Sequence, residues 1–243
     1  CNKNGYDITS STIKKLVLIG ETTRNNDFTL NALGTRLKEA LPDAVLFNTY
    51  ANTEIATSFC ECSEGQGGHC HPELCLPEIV DENGIQLKPG EVGELVITTF
   101  GAHNMPLLRY RTGDITFIND AVCPCGRNSI RLGPILYRKE NMLKIHGISV
   151  YPQVINEAIR ELKEIEDYII IAGKNHNGSD EVVICISAAE NMDHLTEKTE
   201  NHIKAKTRIN AIIKTCSLEE LHKLQYSSKS SKPRRFMDNR TNN

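Results

Sequence analysis

The chain of 243 residues carries a formal net charge of −3 at neutral pH and 39% hydrophobic side chains, the make-up of an ordinary soluble protein long enough to bury a core in one or two domains. No apolar run reaches the ~20 residues that a membrane helix needs, and no basic-then-apolar leader opens the chain, so a cytoplasmic protein is expected. The sequence begins at Cys1 in a polar segment without an initiator methionine, as an N-terminally incomplete span would.

In chain order, Lys15-Leu16-Val17-Leu18-Ile19-Gly20-Glu21 is a branched-aliphatic run closed by glycine and reads as a buried parallel strand. Leucines at 30, 33, 37 and 41 lay a helical stripe over Thr29 to Ala40, which Pro42-Asp43 breaks. Val45 to Tyr50 is a second strand that passes directly into Ala51-Asn52-Thr53-Glu54. Both strands therefore end in polar residues, on the edge where open α/β sheets hold ligands.

The segment Cys60 to His71 is too rich in glycine for a helix or strand, which places its cysteines and histidines on a loop. Pro77 to Asp81 and Gly93 to Thr99 read as antiparallel strands, with a turn at Glu82-Asn83-Gly84. Leu107-Leu108-Arg109-Tyr110-Arg111-Thr112-Gly113-Asp114 reads as a buried strand that runs out into a turn presenting a carboxylate. A carboxylate so held can accept hydrogen bonds from the vicinal hydroxyls of a ribose; the plainer alternative is a solvated turn aspartate.

Beyond Arg138-Lys139-Glu140 the pattern changes. Met142 to Val150 is strand-like, Val154 to Leu162 is an amphipathic helix, Tyr168 to Ala172 and Glu181 to Ile186 are strands, and residues 195–214 hold a further, partly helical segment. This β-α-β-β-α-β order suits a small α+β domain with helices on one side of its sheet. The Ser-, Lys- and Arg-rich tail from Tyr226 reads as loop.

Nine cysteines would suit a secreted disulfide scaffold only in a small chain, whereas here five of them crowd into two short segments beside histidines. Cys123-Pro124-Cys125 places two thiolates in one turn, and the glycine loop can bring Cys62 and His69 to meet them as a Cys₃His zinc set. Cys60, Cys70, Cys75 and His71 compete for those places, and reduced cysteines beside a pocket are the other reading. With all four positions filled by protein, such a zinc is structural.

Taken together, Tyr50-Ala51-Asn52-Thr53-Glu54, Gly93-Glu94-Leu95, Tyr110 to Asp114, Arg138 to Gly147 and Lys232 to Asp238 resemble, in order and rough spacing, the motifs of the adenylate-forming acyl-CoA synthetases. The resemblance is closest to the phenylacetate-CoA ligase branch, in which Cys-Pro-Cys-Gly-Arg also follows Arg-Tyr-Arg-Thr-Gly-Asp. It implies an α/β chain, α+β overall. Residues 1–138 are then the C-terminal part of a large AMP-binding adenylation domain with a β-rich subdomain, and residues 139–243 a small α+β C-terminal domain with the lysine loop.

The resemblance also implies roles. Thr53 offers a hydroxyl to the α-phosphate and Glu54 an oxygen ligand to Mg²⁺. Gly20 and Glu21 line the adenine pocket beside Tyr50, Asp114 holds the ribose with Arg138 nearby, and Glu140 is the hinge between the domains. Lys232 stabilises negative charge during adenylation; the plainer alternative is a solvated tail lysine, with Lys229 three residues away. Departures are Tyr137 and Ala51 where the family has glycine, Ser230-Ser231 in a lysine loop without glycine, and no Ser/Thr/Gly-rich phosphate loop. The chain alone is therefore expected to be inactive.

The implied function is ATP-dependent conversion of a carboxylic acid to an acyl-adenylate and transfer to coenzyme A. Two alternatives remain at this point: a non-catalytic zinc-stabilised module binding a nucleotide or partner, and acyl transfer to a carrier-protein thiol. No nucleic acid or membrane is expected as a partner, and a homodimer is allowed.

Overall fold

The first strand, β1 (Lys15–Ile19), pairs in parallel with β2 (Val45–Asn52) through the crossover helix α1 (Ala32–Ala40), in a computed structural model that describes residues 8–102, 105–145, 147–188, 192–226 and 233–240. Helix α1 starts later than its leucine stripe because Asn31 caps it, its Oδ1 accepting from Gly34 N at 3.0 Å. The burial expected of the first strand is not found. It is the outer strand of its sheet among the described residues, and Val17 and Ile19, which share one face, are 62% and 58% exposed.

Antiparallel strands extend that sheet: β3 (Thr57–Cys60) and β4 (Gly68–His69). A second sheet follows with β5 (Cys75–Val80), β6 (Gly93–Thr99) and β7 (Tyr110–Thr116), before β8 (Ile118–Asn119) and β9 (Arg131–Leu132) return to the first and β10 (Tyr137–Arg138) closes the second. The orders are β1-β2-β3-β4-β9-β8 and β10-β7-β6-β5. Phe59, Cys70, Cys75, Ile79, Leu95, Ile97 and Leu132 form the core of this unit, which spans residues 1–140.

Two local expectations are corrected here. The glycine loop contains a strand after all, because Gly68 has no side chain: a Cβ there would meet Phe59 O at 2.5 Å, closer than atoms approach, so only glycine lets β4 lie against β3. The second concerns the stretch before Asp114. Leu108 is 83% exposed, and the strand begins at Tyr110 and runs through Asp114. Thr112-Gly113-Asp114 is a bulge within it, where β6–β7 pairing jumps from Val96↔Arg111 to Glu94↔Ile115. Gly113 takes φ +75 there, which a side chain would strain.

The second unit covers residues 141–243. A short hairpin, β11 (Leu143–Ile145) and β12 (Ile148–Val150), replaces the single strand expected there. Helix α2 (Pro152–Arg160) leads to the antiparallel pair β13 (Ile165–Lys174) and β14 (Asp180–Ala188). Then come α3 (Met192–Thr207), β15 (Ile212–Thr215), α4 (Leu218–Gln225) and β16 (Phe236–Asp238), giving the sheet order β15-β14-β13-β16.

Side chains alternate across this sheet. Ile170, Ala172, Ile184 and Ile186 face the core shared with Ile155, Ile159 and Ile203, whereas Ile169 and Cys185 pack on Leu221 of α4. Helices thus cover both faces, not one. The tail is not all loop either. Phe236–Asp238 joins β13 in parallel, and Arg240 anchors it to Asp238 at 2.6 Å and Asp180 at 3.0 Å.

Candidate nucleotide site and metal centre

Parallel pairing sets Ile19 beside Thr49, so Gly20-Glu21, just past β1, and Tyr50, near the end of β2, lie at the same carboxyl edge. Immediately beyond β2 a single turn, Thr53–Ile55, is fixed at both ends. Asn52 Oδ1 accepts from Glu54 N at 2.9 Å, Ala56 closes the turn in the left-handed region at φ 50, and Ile55 is buried beneath it. Thr53 and Glu54 are therefore exposed on a rigid turn. Gly20 and Glu21 are exposed as well, Gly20 at φ +83.

Asp114 is buried, at 2% exposure. Two side chains converge on its carboxylate: the Tyr50 hydroxyl donates to Oδ2 at 2.8 Å, and Arg138, directly opposite on β10, donates from Nε to Oδ1 at 2.7 Å. Burial and then the Asp114 charge push the Tyr50 phenol well above its ordinary range, so it stays a donor. This arrangement excludes the solvated turn aspartate. Glu140 lies in the exposed turn Lys139–Asn141 that follows Arg138. Lys232, Lys229 and Ser230-Ser231 lie outside the described residues.

A polar network that the sequence did not announce braces the same edge. Glu61, buried between two cysteines, accepts from Asn48 N at 2.8 Å and from Arg24 Nε at 3.0 Å, and Asn48 Oδ1 accepts from Thr23 N at 3.1 Å. It ties the segment after β1 to the middle of β2. Its only sequence signal is a lone acid amid ligand-type residues, Cys60-Glu61-Cys62.

The metal-type residues converge as well. One ligand atom each from Cys62, His69, Cys123 and Cys125 falls within a cluster 4.8 Å across. Two matching turns present the thiols: Gly65 N donates to Cys62 O and Gly126 N to Cys123 O, with the glycines at φ +60 and +87. Cys62 Sγ and Cys123 Sγ are 3.6 Å apart, and Cys125 Sγ and His69 Nε2 are 3.5 Å apart. A tetrahedral zinc with bonds of ~2.3 Å to sulfur and ~2.0 Å to nitrogen requires about 3.8 Å and 3.5 Å for these pairs. The donor set fits the ion in type and in spacing.

The chemistry of the donors agrees. Ser129 Oγ lies 3.1 Å from His69 Nδ1, which fixes the imidazole and leaves Nε2 facing the thiols. Burial, followed by Arg127 and Arg131, lowers the His69 pKa and favours the neutral ring that a metal requires. Hydrogen bonds from the Arg127 backbone and then its side chain draw the Cys125 thiol down to about 7. The competitors are engaged elsewhere. His71 is half-exposed beside Glu73 at 3.6 Å, the Cys70 thiol faces the Cys75 carbonyl at 3.7 Å, and Cys60 lies against Thr49 and Ser58.

Comparison with known proteins gives three findings. Residues 147–240 match the family described as AMP-binding enzyme C-terminal domain. The chain is 40% identical over 132 residues to the phenylacetate-coenzyme A ligase of Thermus thermophilus, covering 54% of this chain and 30% of that protein. It is 32% identical over 143 residues to the enzyme of the same name from Pseudomonas putida, covering 56% and 31%. The chain thus spans about a third of the length of the curated relatives it matches. The crystal structure of 2-hydroxyisobutyryl-CoA ligase in the postadenylation state overlays with a TM-score of 0.79 at 18% identity, covering 98% of this chain and 51% of that one. At that identity the likeness is one of fold: the mixed α/β fold of the adenylate-forming ligases.

Proposed function

We propose, for a chain that belongs to the adenylate-forming acyl-CoA synthetase superfamily in its phenylacetate-CoA ligase-like branch, that the intact protein is an AMP-forming acid–thiol ligase. It activates a carboxylic acid with ATP, releases pyrophosphate and passes the acyl group from AMP to coenzyme A. The observation that carries the reading is the convergence of Tyr50 and Arg138, from two separate motifs, on the buried carboxylate of Asp114. A buried acceptor with hydrogen-bonding capacity left over suits the paired hydroxyls of a ribose.

The residues take these roles. Asp114 receives the ribose, with Arg138 shifting from the carboxylate toward the nucleotide, and Gly20 and Glu21 line the adenine. Thr53 donates to the α-phosphate. Glu54 offers its carboxylate to Mg²⁺, a hard cation that would neutralise the departing pyrophosphate. Lys232 stabilises charge on the carboxylate and α-phosphate, and the link at Lys139-Glu140 lets residues 139–243 act as a separate domain. Cys62, His69, Cys123 and Cys125 hold a structural zinc, which leaves no coordination position for substrate. The eight cysteines among the described residues are not in disulfides, which suits a cytoplasmic protein.

Acid-dependent exchange of pyrophosphate into ATP, followed by thioester detection on coenzyme A, tests the reading in the intact protein. Phenylacetate is the first acid to try, given the relatives' names. Adenylate formation with transfer only to a carrier-protein thiol would change the acceptor; no adenylate with any carboxylic acid would reject the ligase.

A further inference from the structure

Arg131 is fully buried and carries a whole positive charge, since a guanidinium does not deprotonate inside a protein. Its partners are neutral. Nη1 donates to Gln66 O at 3.1 Å and Gln66 Oε1 at 3.2 Å, Nη2 donates to Ala121 O at 2.6 Å, and the Nε–H has no acceptor among the described residues. Burying an ion without an opposite charge is strongly unfavourable. The fold must therefore supply negative charge nearby by some means other than these contacts.

Geometry identifies the source. Arg131 on β9 is the antiparallel partner of His69 on β4, and residues directly opposite in such a ladder project from the same face. That face carries the thiols of Cys62, Cys123 and Cys125 gathered around His69. A divalent zinc with three thiolates and a neutral imidazole has a net charge of minus one, equal and opposite to the guanidinium. The anchors of Arg131 also lie in the two ligand loops: Gln66 stands between Cys62 and His69, and Ala121 shortly precedes Cys123. Arg127 also reaches the cluster, its side chain donating to Cys125, but it is exposed, so water screens its charge, whereas that of Arg131 is fully buried.

We infer that Arg131 is the internal counter-charge of the metal centre: a positioning residue that balances the anionic Cys₃His set from between the two loops that deliver its ligands. The inference rests on the zinc reading and adds that the site needs its third thiolate partly because this arginine is beneath it. A neutral Cys₂His₂ set would have no use for the charge.

The test is a double-mutant cycle on zinc affinity, measured with the full chain by competition against the chromophoric chelator 4-(2-pyridylazo)resorcinol. Arg131→Met is expected to weaken zinc binding by about tenfold or more, as the loss of an outer-shell partner does. Cys125→His makes the set neutral, and in that background Arg131→Met is expected to cost less than about threefold. Arg131→Lys keeps the charge while losing the fork to Gln66 and Ala121, and is expected to hold affinity within about threefold of the parent; it also decides the matter if the methionine variant does not fold. An equal loss in both backgrounds, or a lysine variant as weak as the methionine one, would reduce Arg131 to a loop brace and overturn the inference. Parent protein that releases no stoichiometric zinc would overturn the metal reading itself, and this inference with it.

Discussion

Arg138 stands directly across the β7–β10 ladder from Asp114, and its guanidinium reaches both carboxylate oxygens, at 2.7 and 3.4 Å. The pair is lopsided: the aspartate side chain is 3% exposed and the arginine 56%. In the proposed nucleotide site, Arg138 would swing away into solvent while Asp114 stays in place, held by Tyr50, and a ribose would take up the positions it leaves.

Asp114→Asn is expected to weaken AMP binding by about tenfold to a hundredfold in the intact protein, since a hydrogen bond to a charged group is worth roughly 1.5–3 kcal/mol. Stability should fall by only about 1 kcal/mol, because the amide oxygen still accepts from Tyr50 and the freed arginine is solvated. Calorimetric titration with AMP, paired with thermal unfolding, separates the two effects. Unchanged affinity would remove Asp114 from the nucleotide site.

Purified protein is expected to contain about one zinc per chain, and chelation should lower its melting temperature, because metal bound only by the folded state adds its binding free energy to folding. Gly68→Ala should act in the same direction without touching a ligand. The added methyl would collide with Phe59 O and force β4, with His69, off β3, at a cost of about 1–3 kcal/mol. Metal analysis and melting curves of the two proteins check this.

Acid is expected to weaken the β6–β7–β10 sheet through Glu94. Hydrogen bonding from Arg111 outweighs burial and, with Lys139 adding to it, holds the Glu94 carboxyl below its ordinary value. A depressed carboxyl stabilises the fold above its unfolded pKa of ~4.5, and that contribution is lost as pH falls through the folded value. Both cations are about half exposed, so the contribution is roughly 1 kcal/mol. Denaturant unfolding of the parent and Glu94→Gln should differ at neutral pH and converge once pH has fallen through the depressed Glu94 value.

Lys232→Ala is expected to slow acyl-adenylate formation by two orders of magnitude or more, about what losing one preorganised charge at a developing anion costs. Transfer from preformed acyl-adenylate to coenzyme A should be spared. Glu140→Pro should show the opposite bias by fixing φ near ~−65° at the proposed hinge. Single-turnover assays begun from acid plus ATP, and separately from synthetic acyl-adenylate, resolve the steps. Equal losses in both assays would make Lys232 structural.

Periodicity made some of this legible. The leucine stripe of α1, the aliphatic runs of β1 and β2 and the β5–β6 pair stand in the sequence because each is a short-range pattern set by a repeat of 3.6 or 2. The pairing of Cys62 and His69 with Cys123 and Cys125 was legible by donor chemistry, but the choice of His69 over His71 needed the strand that Gly68 allows. What stayed hidden depends on distant partners. Val17 and Ile19 look like core residues in any window, α4 and β16 lie in charged stretches whose packing surface is Ile169 and Cys185, and Thr112-Gly113-Asp114 has the composition of a turn but is a bulge. Arg131 and Glu61 carry no local mark of burial at all.

The two halves of the metal cluster bracket residues 70–122, and that stretch contains all of β5, β6 and β7 with Asp114 near its end. The proposed zinc at Cys62, His69, Cys123 and Cys125 would tie the neck of this insert. Closing a flexible loop of that length costs an unfolded chain about 3–4 kcal/mol in entropy. A metal clip would meet that cost reversibly and without a disulfide. With its ends clamped in this way, the insert would keep the Asp114 carboxylate in place relative to β2 so long as the clasp is shut.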